Sequence, residues 1–241
     1  MSYTLKTQIA AAGNYGGSRS AASIQWLIYH YTANDGDTAG ANANYFQQHV
    51  VQASAHYFVD DDSVTQSVPD LAVAWSVGGA KWADCGQTGG GKYYGIADNS
   101  NSLSIELCDT VRDGAHDFSA ATLRNAAALG GKLCVRYGIG LGHVLCHFDV
   151  NGKHCPDVQG WIGSDRGKWA EFRKELEIMT GQEIVAAATA YLKTLPCPAQ
   201  MQPLLADAVK LGITDGSTPC TFVPAWRAAI MARNAAAAAR K

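Results

Sequence analysis

Charge is scarce in this chain. Of 241 residues only 17% are Asp, Glu, Lys or Arg, and 19 basic against 21 acidic side chains leave a formal net charge of −2. A surface so weakly charged excludes broad electrostatic binding to nucleic acid or to an anionic lipid face. Long apolar runs are missing too. No stretch of about eighteen apolar residues exists, so no membrane-spanning helix is expected. The opening Met1-Ser2-Tyr3-Thr4-Leu5-Lys6 carries no apolar run behind a basic segment, and no secretory signal peptide is expected. There is no Cys-x-x-Cys pair, and the cysteine count, seven, is odd. Reduced thiols or metal ligands therefore fit better than a disulfide framework. Disorder is excluded in turn, because 47% of the residues are hydrophobic.

What is present is a mixture of strand and helix signals. Residues 1–22 are small and polar and read as an irregular arm. Residues 24–31 (IQWLIYHY) are aromatic and branched and suit a buried strand. A helical pattern covers residues 39–52, with Ala43, Phe46, Val50 and Val51 on one face. Residues 56–60 and 64–68 read as a hairpin around Asp60-Asp61-Asp62-Ser63, and 78–101 as a long glycine-rich loop. SLSIEL (102–107) alternates as a strand, and 142–148 is a further strand candidate. Helices are expected over 119–136, capped by Ser119 and interrupted at Gly130 and Gly131, and over 167–179. The composition turns alanine-rich after Gly181, with Pro196, Pro198, Gly212, Gly216 and Pro219 as punctuation. The expected organisation is an α/β domain over 1–180, a central mixed β-sheet flanked by helices, and a small helical domain over 181–241.

The chemistry concentrates in HFDVNGKHCPD (147–157). His147 ends one strand pattern, His30 ends another, and Cys155 follows His147 by eight residues. Two imidazoles and a thiolate are ligands that tetrahedral zinc accepts, and a fourth position left to water marks a catalytic rather than a structural ion. The plainer alternative is that these are packing residues, since buried Cys and His are common. Glu106 sits within SIELCD, where burying a carboxylate is costly without a purpose; an arginine salt bridge is the structural alternative. Lys153 alone would be an ordinary solvated surface charge.

The segments IYHYTAN, ASAHYFVDD, SIELCD and HFDVNGKHCPD, in this order, resemble the type 2 N-acetylmuramoyl-L-alanine amidases over roughly residues 20–175. That family includes phage and prophage endolysins and the peptidoglycan recognition proteins, and the Bacillus-type endolysin branch is most similar. The resemblance implies that His30, His147 and Cys155 bind Zn2+. It implies further that Glu106 activates the metal-bound water and that Lys153 stabilises the oxyanion. The implied reaction is hydrolysis of the amide joining N-acetylmuramic acid to L-alanine in peptidoglycan. The implied setting is the host cytoplasm before release, then the cell wall. Two departures stand out. Some relatives carry a catalytic tyrosine first where His56 precedes Tyr57 here, and relatives often have histidine where Ser76 follows Trp75. His56 is thereby left between a structural and a substrate-facing role, and Trp75 with the 78–101 loop is expected to wall the cleft.

Two other functions compete. A non-enzymatic peptidoglycan-binding protein would typically lack the metal cysteine. A cysteine hydrolase using Cys155 and His147 leaves His30 and Glu106 without a purpose. Cys108, Cys134 and Cys146 lie in apolar patterns as buried thiols, while Cys197 and Cys220 are candidates for pairing. In the tail, LGITDG and VPAWRAAIMAR resemble one S-layer-homology-like repeat. That resemblance implies binding to a secondary cell-wall polymer or homo-oligomerisation, against a purely stabilising extension.

Overall fold

The computed structural model describes residues 3–112, 114–196, 199 and 202–210. The first elements are β1 (Thr4–Thr7), β2 (Tyr15–Ser18), β3 (Trp26–Tyr31), α1 (Ala39–Gln48), β4 (Tyr57–Val59), β5 (Ser63–Gln66) and β6 (Ala72–Ala74). They are followed by α2 (Cys85–Thr88), β7 (Ser102–Leu107), β8 (Thr110–Arg112), β9 (Ala115–Asp117) and α3 (Ala120–Tyr137). The chain continues through β10 (Val144–Cys146), α4 (His147–Asn151), α5 (Gly167–Thr194) and α6 (Gln202–Lys210).

The six-stranded sheet runs β1-β5-β4-β7-β3-β10, with β4 and β5 antiparallel and the other neighbours parallel. This is the expected mixed sheet flanked by helices. Strand alternation gives each face of the sheet its character. Leu27 and Tyr29 of β3 join Leu103, Ile105 and Leu107 of β7 in the main core, against Ala126, Ala127 and Leu133 of α3 and Phe172 and Leu176 of α5. Full burial of each such side chain contributes roughly 1.5–3 kcal/mol. Trp26, Ile28 and His30 point the other way, as do Ser104 and Glu106, and that face carries the polar groups.

Several elements differ from the sequence reading. The supposed arm contains β1, paired with β5, and β2, paired with β6. Strand β1 leaves no hydrophobic pattern because all four of its side chains are exposed. Helix α1 stops at Gln48, short of residue 52. There the Asn14 side chain donates to the carbonyls of Phe46 and His49 and accepts from the amides of Val51 and Gln52. Helix α3 is capped by Ser119 as expected but runs unbroken through Gly130 and Gly131. These glycines serve close packing: a Cβ at Gly130 would overlap the Tyr29 hydroxyl, and one at Gly131 would press on the α5 backbone at Met179 and Thr180. The β8–β9 hairpin was not expected, and α5 continues well past residue 179.

The chain divides into two units, Met1–Gly181 and Gln182–Lys241. In the second, the described residues form the end of α5 and all of α6. Cys197, Cys220 and the LGITDG and VPAWRAAIMAR segments lie outside the described residues. No described helix is long and apolar enough to cross a membrane.

Candidate metal centre and active site

Strands β3 and β7 are parallel neighbours, and their register sets His30 beside Glu106. Both side chains leave the same face of the sheet near the carboxyl ends of the strands, where open α/β sheets usually bind ligands. His30 Nδ1 lies 3.8 Å from Glu106 Oε1 and 3.6 Å from Cys155 Sγ.

His147 arrives from the neighbouring strand. Strand β10 pairs with β3 and ends at Cys146, so His147 is the first residue of α4 rather than the last residue of a strand. The change has a local cause. The Asp149 carboxylate accepts the Cys146 backbone N–H and caps the turn. Arg166 holds that carboxylate with two bonds, at 2.6 and 3.0 Å. The chain then reverses at Gly152, whose φ of +88° favours glycine and where a Cβ would overlap Cys85 Sγ. A bond from Phe148 N–H to the Cys155 carbonyl, 2.9 Å, closes the loop and fixes His147 and Cys155 together.

The ligand atoms of His30, His147 and Cys155 all fall within 4.8 Å of one another, and all three residues are buried. Neither nitrogen of His147, nor His30 Nε2, nor Glu106 Oε2 has a hydrogen-bond partner. Unpaired buried polar atoms are costly, and their convergence here is what a bound cation would relieve. Burial, with repulsion from neighbouring His147 and Lys153, holds the His30 imidazole well below its ordinary pKa. Burial and then Lys153 push His147 down to about 3, which favours the neutral, lone-pair-bearing form of both rings. Burial drives the Cys155 thiol upward, a tendency that a cation at the sulfur reverses. Glu106 is pushed up to about 8 by burial, with Lys153 opposing. The donor set of two imidazole nitrogens and one sulfur fits zinc.

Two cavities meet at this centre. One, of about 590 Å³, is lined by His30, Cys155 and Glu106 together with Tyr31, Asn34, Tyr45 and Phe46. The other, of about 550 Å³, is lined by His147, Trp75, Gly78, Gly79, Trp82 and Asn151. Ser76 and Lys153 border both. The structure therefore brings together all five residues singled out from the sequence, and Trp75 and the 78–101 loop do wall the cleft. His56 belongs elsewhere. Its ring is buried against Ser104, the Ala72 carbonyl and Arg19, and burial pushes it down to about 3. Tyr57 donates to Asp70 at 2.5 Å. Both are structural.

Sequence reasoning missed Tyr31, on the cavity wall, and Asp109. Buried Asp109 accepts from Thr32 Oγ1 and the Asn34 N–H, and His116 Nδ1 lies 2.5 Å from it. It thereby holds the loop after β3 in place. Tyr31 falls within IYHYTAN and Asp109 ends SIELCD, but nothing local shows what either does, because Thr32 and Asn34 meet Asp109 only across the fold.

A sequence profile described as N-acetylmuramoyl-L-alanine amidase matches residues 20–158, more than half of the chain. The chain belongs to the N-acetylmuramoyl-L-alanine amidase family. A probable N-acetylmuramoyl-L-alanine amidase of Bacillus licheniformis is 30% identical over 173 residues, covering 70% of this chain and 46% of that protein. The amidase BlyA of Bacillus subtilis strain 168 is 29% identical over 172 residues, covering 68% and 44%. The chain thus spans about half the length of the curated amidases it matches. The solution structure of the PlyG catalytic domain superposes with a TM-score of 0.56 at 22% identity, covering 73% of this chain and 95% of that one. That likeness shows that the amidase fold is shared.

Proposed function

We propose that this chain is a zinc-dependent peptidoglycan hydrolase, a phage or prophage endolysin that cleaves the amide between N-acetylmuramic acid and L-alanine. The convergence of His30, His147 and Cys155 beside Glu106 carries the reading. It is supported by the family membership and by relatives named N-acetylmuramoyl-L-alanine amidases. His30, His147 and Cys155 would hold the ion. When bound, zinc supplies Lewis-acid polarisation of the scissile carbonyl and an acidified water.

The remaining work falls to the protein's own side chains. Glu106, half-buried at the cavity wall with an enclosed and unpartnered Oε2, takes the proton of the attacking water and returns it to the leaving α-amine. Its raised pKa suits a group that must both accept and donate near neutrality. Lys153 borders both cavities, and its ammonium offsets the charge that develops on the carbonyl oxygen. A purely binding role would leave the half-buried Glu106 carboxylate, with its unpartnered Oε2, without a use.

The segment after residue 181 we assign to wall-polymer binding, on the S-layer-homology-like wording of its sequence. Its removal should spare cleavage of soluble muropeptides and weaken lysis of whole cells. Equal lysis by the shortened chain would reject the assignment.

The reaction is tested by mass spectrometry of purified peptidoglycan after digestion. Free L-alanine amino termini and intact muramic acid are expected, with about one zinc per chain in the purified protein. A cut at another bond, or full activity in metal-free protein, overturns the reading.

A further inference from the structure

The two cavities differ in what they offer a ligand. The smaller is bounded by two tryptophans, Trp75 and Trp82, and by the side-chain amides of exposed Gln52 and of Asn99. Asn99 Oδ1 accepts the Ser76 and Val77 N–H groups, and the buried Asn151 amide is spent on the Gly78 carbonyl and the Lys153 N–H. Among the described residues, Lys153 is the one charged side chain on its wall. Trp82 is 43% exposed although its ring stacks on His154, with centroids 5.4 Å apart and planes at 26°. One indole face is therefore covered and the other is open. The residue is anchored at its backbone and the stacking partner at its ring. The Trp82 main-chain N–H donates to the Asn151 carbonyl at 2.8 Å, and His154 Nε2 lies 3.0 Å from Asp84 Oδ2. His154 lines the larger cavity and Trp82 the smaller, so the stacked pair stands between them.

A rigid, electron-rich ring beside amide groups is the chemistry that recognises a sugar. A pyranose packs its C–H face on the ring and hydrogen-bonds its hydroxyl and acetamido groups at the rim. We propose that the cavity beside Trp82 binds the saccharide side of the substrate, with the open face of Trp82 as its platform. The larger cavity then receives the stem peptide. This rests on the amidase reading above, in which the scissile amide joins a sugar acid to a peptide and must lie at the junction of the two cavities. The exposed Trp82 gives the loop of residues 78–101 a direct part in substrate selection.

The test uses the full zinc-loaded chain carrying Glu106→Gln, with calorimetric titration of two ligands. One is a disaccharide N-acetylglucosaminyl-N-acetylmuramoyl peptide, and the other is the same peptide on a lactoyl group without sugar. Adding Trp82→Ala should weaken the disaccharide ligand roughly five- to tenfold, while the sugar-free ligand stays within about twofold. Trp82→Phe should recover most of the loss and shows that the loop still folds. Equal weakening of both ligands, or no weakening of either, overturns the saccharide assignment. If neither ligand binds and the unmodified chain leaves peptidoglycan uncut, the amidase reading itself fails, and with it this proposal.

Discussion

Glu106 Oε1 stands 3.8 Å from His30 Nδ1, across one rung of the parallel β3–β7 ladder. The proposed general base and a proposed metal ligand are thus fixed by backbone pairing, without a loop between them. Glu106→Gln preserves shape and removes the base. Zinc content should stay at about one per chain while kcat falls by roughly 10²–10⁴-fold. Full activity in this variant would show that the proton is carried by another group.

Arg166 and Asp149 brace the short helix that carries His147. Arg166→Met leaves the buried Asp149 carboxylate with its backbone bond alone. A loss of roughly 1–3 kcal/mol in stability is expected, discounted for the partial exposure of Arg166. Zinc affinity, read by competition with a chelator, should fall about 10- to 100-fold. Unchanged affinity alongside lowered stability would confine the pair to a folding role.

Gly130 lies where α3 touches Tyr29 and Leu176. An added methyl cannot be accommodated without moving the Tyr29 hydroxyl from its 3.1 Å bond to the Ala126 carbonyl. Gly130→Ala should destabilise the protein by about 1–3 kcal/mol, although alanine is the better helix former. Denaturant unfolding measures this, and a stabilised variant would mean that the helix–sheet contact is looser than described.

His56 predicts a pH dependence of stability away from the metal centre. Burial, reinforced by Arg19, lowers its pKa from 6.5 to about 3. Between those values the unfolded chain binds a proton that the folded chain refuses. The contribution is complete above about pH 6.5 and is lost as pH falls toward 3. For this one group the slope is at most about 1.4 kcal/mol per pH unit. His56→Gln should flatten the acid limb of the unfolding free energy, and an unaltered slope would place the protonation elsewhere.

Local signals were enough for much of this molecule. The β3 pattern, the alternating SLSIEL strand, the Ser119 cap and the helix after it are short-range properties, set by side-chain period and capping chemistry. His30, Glu106, Lys153, His147 and Cys155 were legible because their neighbouring residues carry a recognisable pattern. Other features had no local sign. Strand β1 is specified by backbone pairing with β5, so its exposed side chains give no periodicity. The glycines of α3 read as a break because their purpose, close contact with Tyr29 of β3 and with Leu176, Met179 and Thr180 of α5, lies far away in the chain. His147 begins a helix because Asp149 and Arg166 take up the turn. The sequence by itself determined which side chains are the candidates for the chemistry. The tertiary structure decided their register across β3 and β7, the two cavities that meet at Lys153, and the open face of Trp82. Each of these depends on contacts between segments that composition and spacing do not link.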